Sequence, residues 1–172
     1  MPRTAGYNSL DLTGLRQATQ FFIIILMFIG ASPGSTGGGI KTTTFAILIG
    51  AVMSLIRGRE DIILFRYRLG KDRIFKALTI TMMSLVLVII VTMLLSMLEE
   101  KSFLDVLFEA TSAFATVGLT LGVTTELGEA SKVILALTMF AGRLGLLTMA
   151  YALGPGSEKE LYRHPEGKIT IG

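Results

Sequence analysis

The sequence predicts an all-α membrane protein with one helix broken by an intramembrane loop. Two observations carry that reading. First, 51% of the 172 residues are hydrophobic and the mean hydropathy is +0.65. That is too apolar for a soluble domain of this size, and the long apolar runs are those of the membrane class. Second, Phe21–Ile29 is continuous hydrocarbon, Gly30–Thr44 reads GASPGSTGGGIKTTT, and Phe45–Ile56 is apolar again. Non-helical backbone at membrane depth survives only where protein buries it or where it lines a watery cavity. Gly30–Thr44 therefore reads as a loop beside such a cavity.

Composition excludes much. With no cysteine there are neither disulfides nor thiolate metal sites. The single histidine, His164, rules out histidine metal clusters and reads as a solvated tail residue. The net charge of +3 is modest, and its clustering reflects loop topology, so no nucleic-acid partner is expected. Met1–Gly6 opens without an apolar stretch and is not a signal peptide.

The segments follow in order. Leu15–Ile56 is about 40 residues, or ~60 Å as helix, twice the hydrocarbon thickness. A single broken crossing fits, and a hairpin of two short spans is the alternative. Residues 57–76 form a basic connector. Arg57, Arg59, Arg66, Arg68, Lys71, Arg73 and Lys76 outweigh Glu60, Asp61 and Asp72 there, which marks the cytoplasmic side. Within it, Ile62–Phe65 would pack at the interface. Ala77–Leu98 is an uncharged run of one span length. Ser102–Ala115 is too short and polar to cross and fits a re-entrant amphipathic helix. Leu121–Ala130 reads as a polar return to the outer surface. Val133–Leu153 is a last span interrupted at Gly142–Gly145. Residues 154–172 form a polar cytoplasmic tail, with Pro155 and Gly156 stopping the helix. Between Glu99 and Lys132, Glu99, Glu100, Asp105, Glu109, Glu126 and Glu129 face only Lys101 and Lys132, an outer mouth that attracts cations.

Two pentapeptides repeat. Thr4-Ala5-Gly6-Tyr7-Asn8 and Thr116-Val117-Gly118-Leu119-Thr120 each enter a helix from the same side. Thr116–Thr120 is similar to the carbonyl-lined filter of potassium channels, where glycine opens backbone angles closed to other residues. The competing reading is a Thr/Gly turn between helices. Gly34–Thr42 superficially resembles a phosphate loop, but Ile40 separates Gly39 from Lys41 and a membrane helix pattern precedes it. Nucleotide binding is rejected, and no enzyme activity is expected. Pro33 and the run Gly37-Gly38-Gly39 argue for true unwinding rather than close helix packing. Lys41 and Arg143 are cations at membrane depth, each costing about 2.5–3.5 kcal/mol at a helix centre, and a gating task would explain them. Asp11 reads as a helix-start acid.

These residues together resemble the Trk/Ktr/HKT potassium transporter superfamily, and most closely its KtrB-type membrane subunits, over essentially the whole chain. The carrying motifs are Arg3–Asn8, Gly30–Thr42, Ala115–Thr120 and Gly142-Arg143. The resemblance implies four helix–pore-loop–helix repeats around one pore, of which this sequence matches the C-terminal part. Residues 1–56 would be the third-repeat filter strand and broken inner helix, and residues 77–153 the fourth repeat. It implies filter residues Thr4, Ala5, Gly6, Tyr7 and Asn8 with Thr116, Val117, Gly118, Leu119 and Thr120. It implies a gating loop of Gly30, Ser32, Pro33, Gly34, Ser35, Thr36, Gly37, Gly38, Gly39 and Lys41, faced by Arg143.

The implied activity is potassium transport across the cell membrane without a cofactor, with sodium open as coupling ion. The implied partners are lipid, a second protomer and a cytoplasmic nucleotide-sensing ring on the connector and tail. Since one and a half repeats are recognisable, the expectation is that the chain alone does not conduct. The alternative is a non-conducting stub that associates with a full-length transporter.

Overall fold

The computed structural model describes residues 6, 8, 12–58, 63–64 and 67–145. Helix α1 (Gln17–Phe28) and helix α2 (Thr42–Ile56) flank the glycine-rich block. Two short strands follow, β1 (Ile63–Leu64) and β2 (Tyr67–Arg68). Then come α3 (Lys71–Leu98), α4 (Phe103–Phe114), a 3-10 turn at Val123–Thr125, and α5 (Glu129–Leu144).

The break is where the glycines put it, but shorter than expected. Helix geometry stops at Phe28 and resumes at Thr42, so the loop ends at Lys41. Thr42, Thr43 and Thr44 open α2 instead of belonging to the loop. First-turn N–H groups have no intrahelical partner, so threonine hydroxyls compete with nothing there. Helix α1 packs on α4, whereas α2 packs on α3. The main packing partners of the two halves are thus different helices.

Helix α3 begins earlier than its hydropathy indicated. Lys71, Asp72, Arg73 and Lys76 are helical, because nothing after Gly70 breaks the helix and charges disfavour hydrocarbon, not helix. From Asp72 to Leu98 it is long and apolar enough to cross a membrane, with a hydropathy of 2.7. Helices α1 and α2 are shorter apolar segments. Exposed apolar side chains cover much of α3, among them Ile89, Ile90, Met93 and Met97. Hydrocarbon solvates such a surface at no cost, so an all-round apolar helix needs no protein cover. Hydroxyls on these helices bond back to their own turns, as Thr92 does to Val88 O at 2.8 Å and Thr138 to Ile134 O at 2.7 Å. No buried side-chain polar atom is left unpaired among the described residues.

The connector carries structure that the sequence reading lacked: β1 and β2 pair antiparallel, Ile63 with Arg68 and Leu64 with Tyr67. Ile62 and Phe65 lie outside the described residues.

The core is α4. Packed by α1, α3 and α5, it buries everything from Phe108 to Phe114. The expected amphipathic character holds only for its first turn, where Phe103 is exposed. The segment after it is not a simple polar return either. Leu121, Val123 and Leu127 join the core. Helix α5 runs unbroken through Gly142 and ends at Gly145, whose φ of +81° closes the turn. Within the expected interruption at Gly142–Gly145 the helix continues through Leu144 and breaks at Gly145, and the span expected beyond it lies outside the described residues.

Candidate functional site

The C-terminal end of α4 is where the separate motifs meet. Thr116 follows it with φ +53°, the one positive value outside glycine among the described residues. An L-residue there is strained by about 1–2 kcal/mol, and such strain collects at functional positions. The strained turn is held from several sides. Val117 N–H donates to Ser112 O at 3.0 Å. The Ser112 hydroxyl donates to Leu119 O at 2.6 Å. Beyond it, Glu109 accepts from the Thr120 hydroxyl, from Leu121 N–H at 3.3 Å and from the Thr124 hydroxyl at 2.8 Å. Leu119 O and the Thr120 side chain are thus turned toward α4.

Gly118 has φ +85° and Gly6 has φ +63°. A Cβ on Gly6 would lie 3.1 Å from Val117 O, and one on Gly118 would lie 3.5 Å from the Gly6 Cα. The two pentapeptides meet through their glycines. Thr4, Ala5, Tyr7 and Asp11 lie outside the described residues, and Asn8 is exposed.

The glycine-rich loop docks under the same point. Ser32, Pro33, Gly34, Ser35 and Thr36 form its exposed tip, and Gly37, Gly38 and Ile40 its buried limb, with Gly39 half-buried. Gly38 N–H donates to Thr116 Oγ1 at 2.9 Å. The limb is stitched to the end of α1 and beyond by Ile40 N–H to Phe28 O and Thr42 N–H to Ala31 O, both at 3.2 Å. Lys41 caps the tip: its ammonium donates to Ser35 O at 3.1 Å and to Gly37 O at 2.5 Å. The ammonium is thereby solvated by carbonyls of its own loop.

Helix α5 contributes Gly142 rather than Arg143. An added Cβ on Gly142 would fall 1.9 Å from Phe114 O, so α5 rests directly on the last turn of α4. Arg143 is exposed and makes no hydrogen bond or ion pair among the described residues. The expected contact of Arg143 with the loop is not made. Helical rotation explains it: the residue next to one that touches α4 points about 100° away.

The end of α3 and the start of α5 have their own lock. Glu99 Oε1 accepts Gly128 N–H at 2.8 Å and the Ser131 hydroxyl at 2.6 Å, capping α5 from another segment. Those two bonds, Ser131 first, hold its carboxyl below the usual range. Lys101 pairs with Glu126 close by, raising the lysine and lowering the glutamate. Both are exposed, so the pair adds little stability. The sequence reading counted Glu99, Glu109 and Glu126 only as outer charge and missed their tasks. For Glu109 a signal existed: Glu109 and Ser112 stand about one turn apart on the helix that leads straight into the pentapeptide.

A helical bundle with exposed apolar faces, one helix of membrane-spanning length and an unwound glycine-rich loop has the features of a helical membrane protein. The TrkH family profile, described as cation transport protein, matches residues 2–154, and the chain belongs to that family. Among its relatives, Ktr system potassium uptake protein D of Bacillus subtilis is 41% identical over 170 residues. Ktr system potassium uptake protein B of the same organism is 42% identical over 171 residues. The protein B of Vibrio alginolyticus is 42% identical over 170 residues. In each case 99% of this chain is covered, with 38%, 38% and 37% of the relative. The chain thus spans well under half the length of the curated relatives it matches.

Proposed function

We propose that this chain carries part of a potassium-selective pathway: two filter strands, Thr4–Asn8 and Thr116–Thr120, and the loop that gates them, Gly30–Lys41. The observation that carries the reading is the meeting of Gly6 and Gly118, two positive-φ glycines from sequence-distant repeats brought to main-chain contact. Carbonyls can replace a cation's hydration shell only if strands from different repeats converge on one axis, and side chains at the point of convergence would fill it. The hydrogen bond from Gly38 to Thr116 supports a gate seated on the filter itself.

In this reading the basic connector and the tail face the cytoplasm, where a second protomer and a nucleotide-sensing ring are the partners. Residues 99–132 line the outer mouth. Potassium is the transported ion, and sodium is the candidate coupling ion.

The test is potassium uptake by the full-length protein in a bacterial strain lacking its own uptake systems. Gly118→Ser should abolish selective uptake while leaving the protein in the membrane. Uptake and selectivity unaltered by that change would refute the filter.

A further inference from the structure

We infer that Glu109 is a positioning residue that sets ion selectivity by pegging the outer limb of the Gly118 turn. The inference rests on the filter reading above and deepens it. Residues 116–122 belong to neither helix nor strand, so no ladder of hydrogen bonds fixes their backbone. Side chains must do it. Ser112 holds Leu119 O, and beyond it three polar contacts of the limb converge on one carboxylate. Glu109 takes the Thr120 hydroxyl and Leu121 N–H on Oε1 and the Thr124 hydroxyl on Oε2.

That carboxylate is 5% exposed. No lysine or arginine pairs with it among the described residues. A buried carboxylate without a cation is costly, and neutral packing would be the cheaper way to build a core. What an ionised carboxyl offers instead is acceptor capacity: two oxygens and no donor, against one oxygen in an amide. Here that capacity gathers three donors from three residues at a single point, just beyond Gly118. Beside it lies a cavity of about 220 Å³ bounded by Glu109, Ser112, Thr124, Leu135 and Met139. The cavity leaves room beside the turn, and the Glu109 hydrogen bonds act together with the buried Leu119, Leu121 and Val123 side chains in holding it in place. Selectivity between monovalent cations depends on the number and placement of carbonyls. A limb released into that cavity would move the Gly118 carbonyl and blunt the distinction.

The experiment measures potassium and sodium uptake in competition, in the full-length protein in the uptake-deficient strain. Glu109→Gln should lower the preference for potassium over sodium by roughly tenfold, about what losing one charge-assisted hydrogen bond amounts to. Thr124→Val should shift the ratio in the same direction by less, and Thr124→Ser should restore it. If Glu109→Gln does not accumulate, the Thr124 pair decides. An unaltered ratio in the variants that do accumulate, even with slower uptake of both ions, overturns the peg alone, provided Gly118→Ser still abolishes selective uptake. A protein indifferent to Gly118→Ser overturns the filter reading and this inference with it.

Discussion

Gly6 and Gly118 stand 112 positions apart in sequence (118 − 6), yet a Cβ on the first would sit 3.1 Å from the carbonyl oxygen of the residue preceding the second. Both have positive φ. Neither feature follows from helix packing. Each is what two strand-like turns need in order to approach one line with no side chain between them.

Alanine at either position should therefore be damaging in different measure. Gly118→Ala meets ordinary contact, with the Gly6 Cα at 3.5 Å, and mainly suffers a left-handed backbone cost of about 1–2 kcal/mol. Gly6→Ala adds a steric push on Val117 O. We expect potassium uptake to fall in both, and potassium-over-sodium preference to fall further in Gly6→Ala. Equal preference in the two variants would contradict the contact.

Gly142→Ala tests the seat of α5 on α4. A methyl group 1.9 Å from Phe114 O cannot be accommodated, so the helices must separate along a backbone contact. Overpacking costs typically about 1–3 kcal/mol, and rigid backbone on both sides puts this site at the upper end. Within a membrane, close packing between helices is itself the main source of association. The expected result is a lowered melting temperature of the detergent-purified protein. Ala141→Gly, one residue away, should have a much smaller effect. Matching losses in the two variants would argue against the specific contact.

These sites were legible to different degrees. Glycine and proline in Gly30–Gly39 announced the unwound loop because both oppose helix strongly wherever they occur. The uncharged run in α3 announced a span by length alone. The contact of Gly142 did not show, because it depends on which residues α4 presents to its neighbours. On helices that are apolar on their exposed as well as their buried faces, hydropathy carries little phase information. The facing of Arg143 toward the loop was an implication of the family resemblance, and in the structure Arg143 is exposed on α5. Lys41 donates to carbonyls of its own loop, and its gating task belongs to the proposal.

The bond from Gly38 N–H to Thr116 Oγ1 ties the loop to the filter turn at 2.9 Å. Thr116→Val keeps the shape and removes the acceptor, leaving the N–H of buried Gly38 unpaired at about 1–3 kcal/mol. The docked loop is destabilised relative to a displaced one, so maximal potassium uptake should rise. Thr116→Ser retains the hydroxyl and should behave like the parent. Deleting Gly34–Gly39 should also speed uptake, and Thr116→Val should then add nothing. Additive effects of the two changes would show that the bond does not act through the loop.

Glu99 predicts an acid-dependent loosening of the cap that joins the end of α3 to the start of α5. The Ser131 hydroxyl, then Gly128 N–H, stabilise its charged form and depress its pKa from the ordinary 4.5. A depressed carboxylate contributes stability that is complete above its unfolded value. That contribution disappears as pH falls from there through the folded value. Protonation removes an acceptor from the N-terminus of α5 and weakens the charge–dipole attraction at that helix end. Melting temperatures of the parent and of Glu99→Gln, measured from pH 7 down to pH 3, should therefore differ most at neutral pH and converge in acid. Glu126 also titrates low, through Lys101, but it does so in both proteins and cancels in the difference. Curves that stay parallel across the whole range would show that the Glu99 charge does not stabilise the cap, leaving Gly128 and Ser131 indifferent to its ionisation.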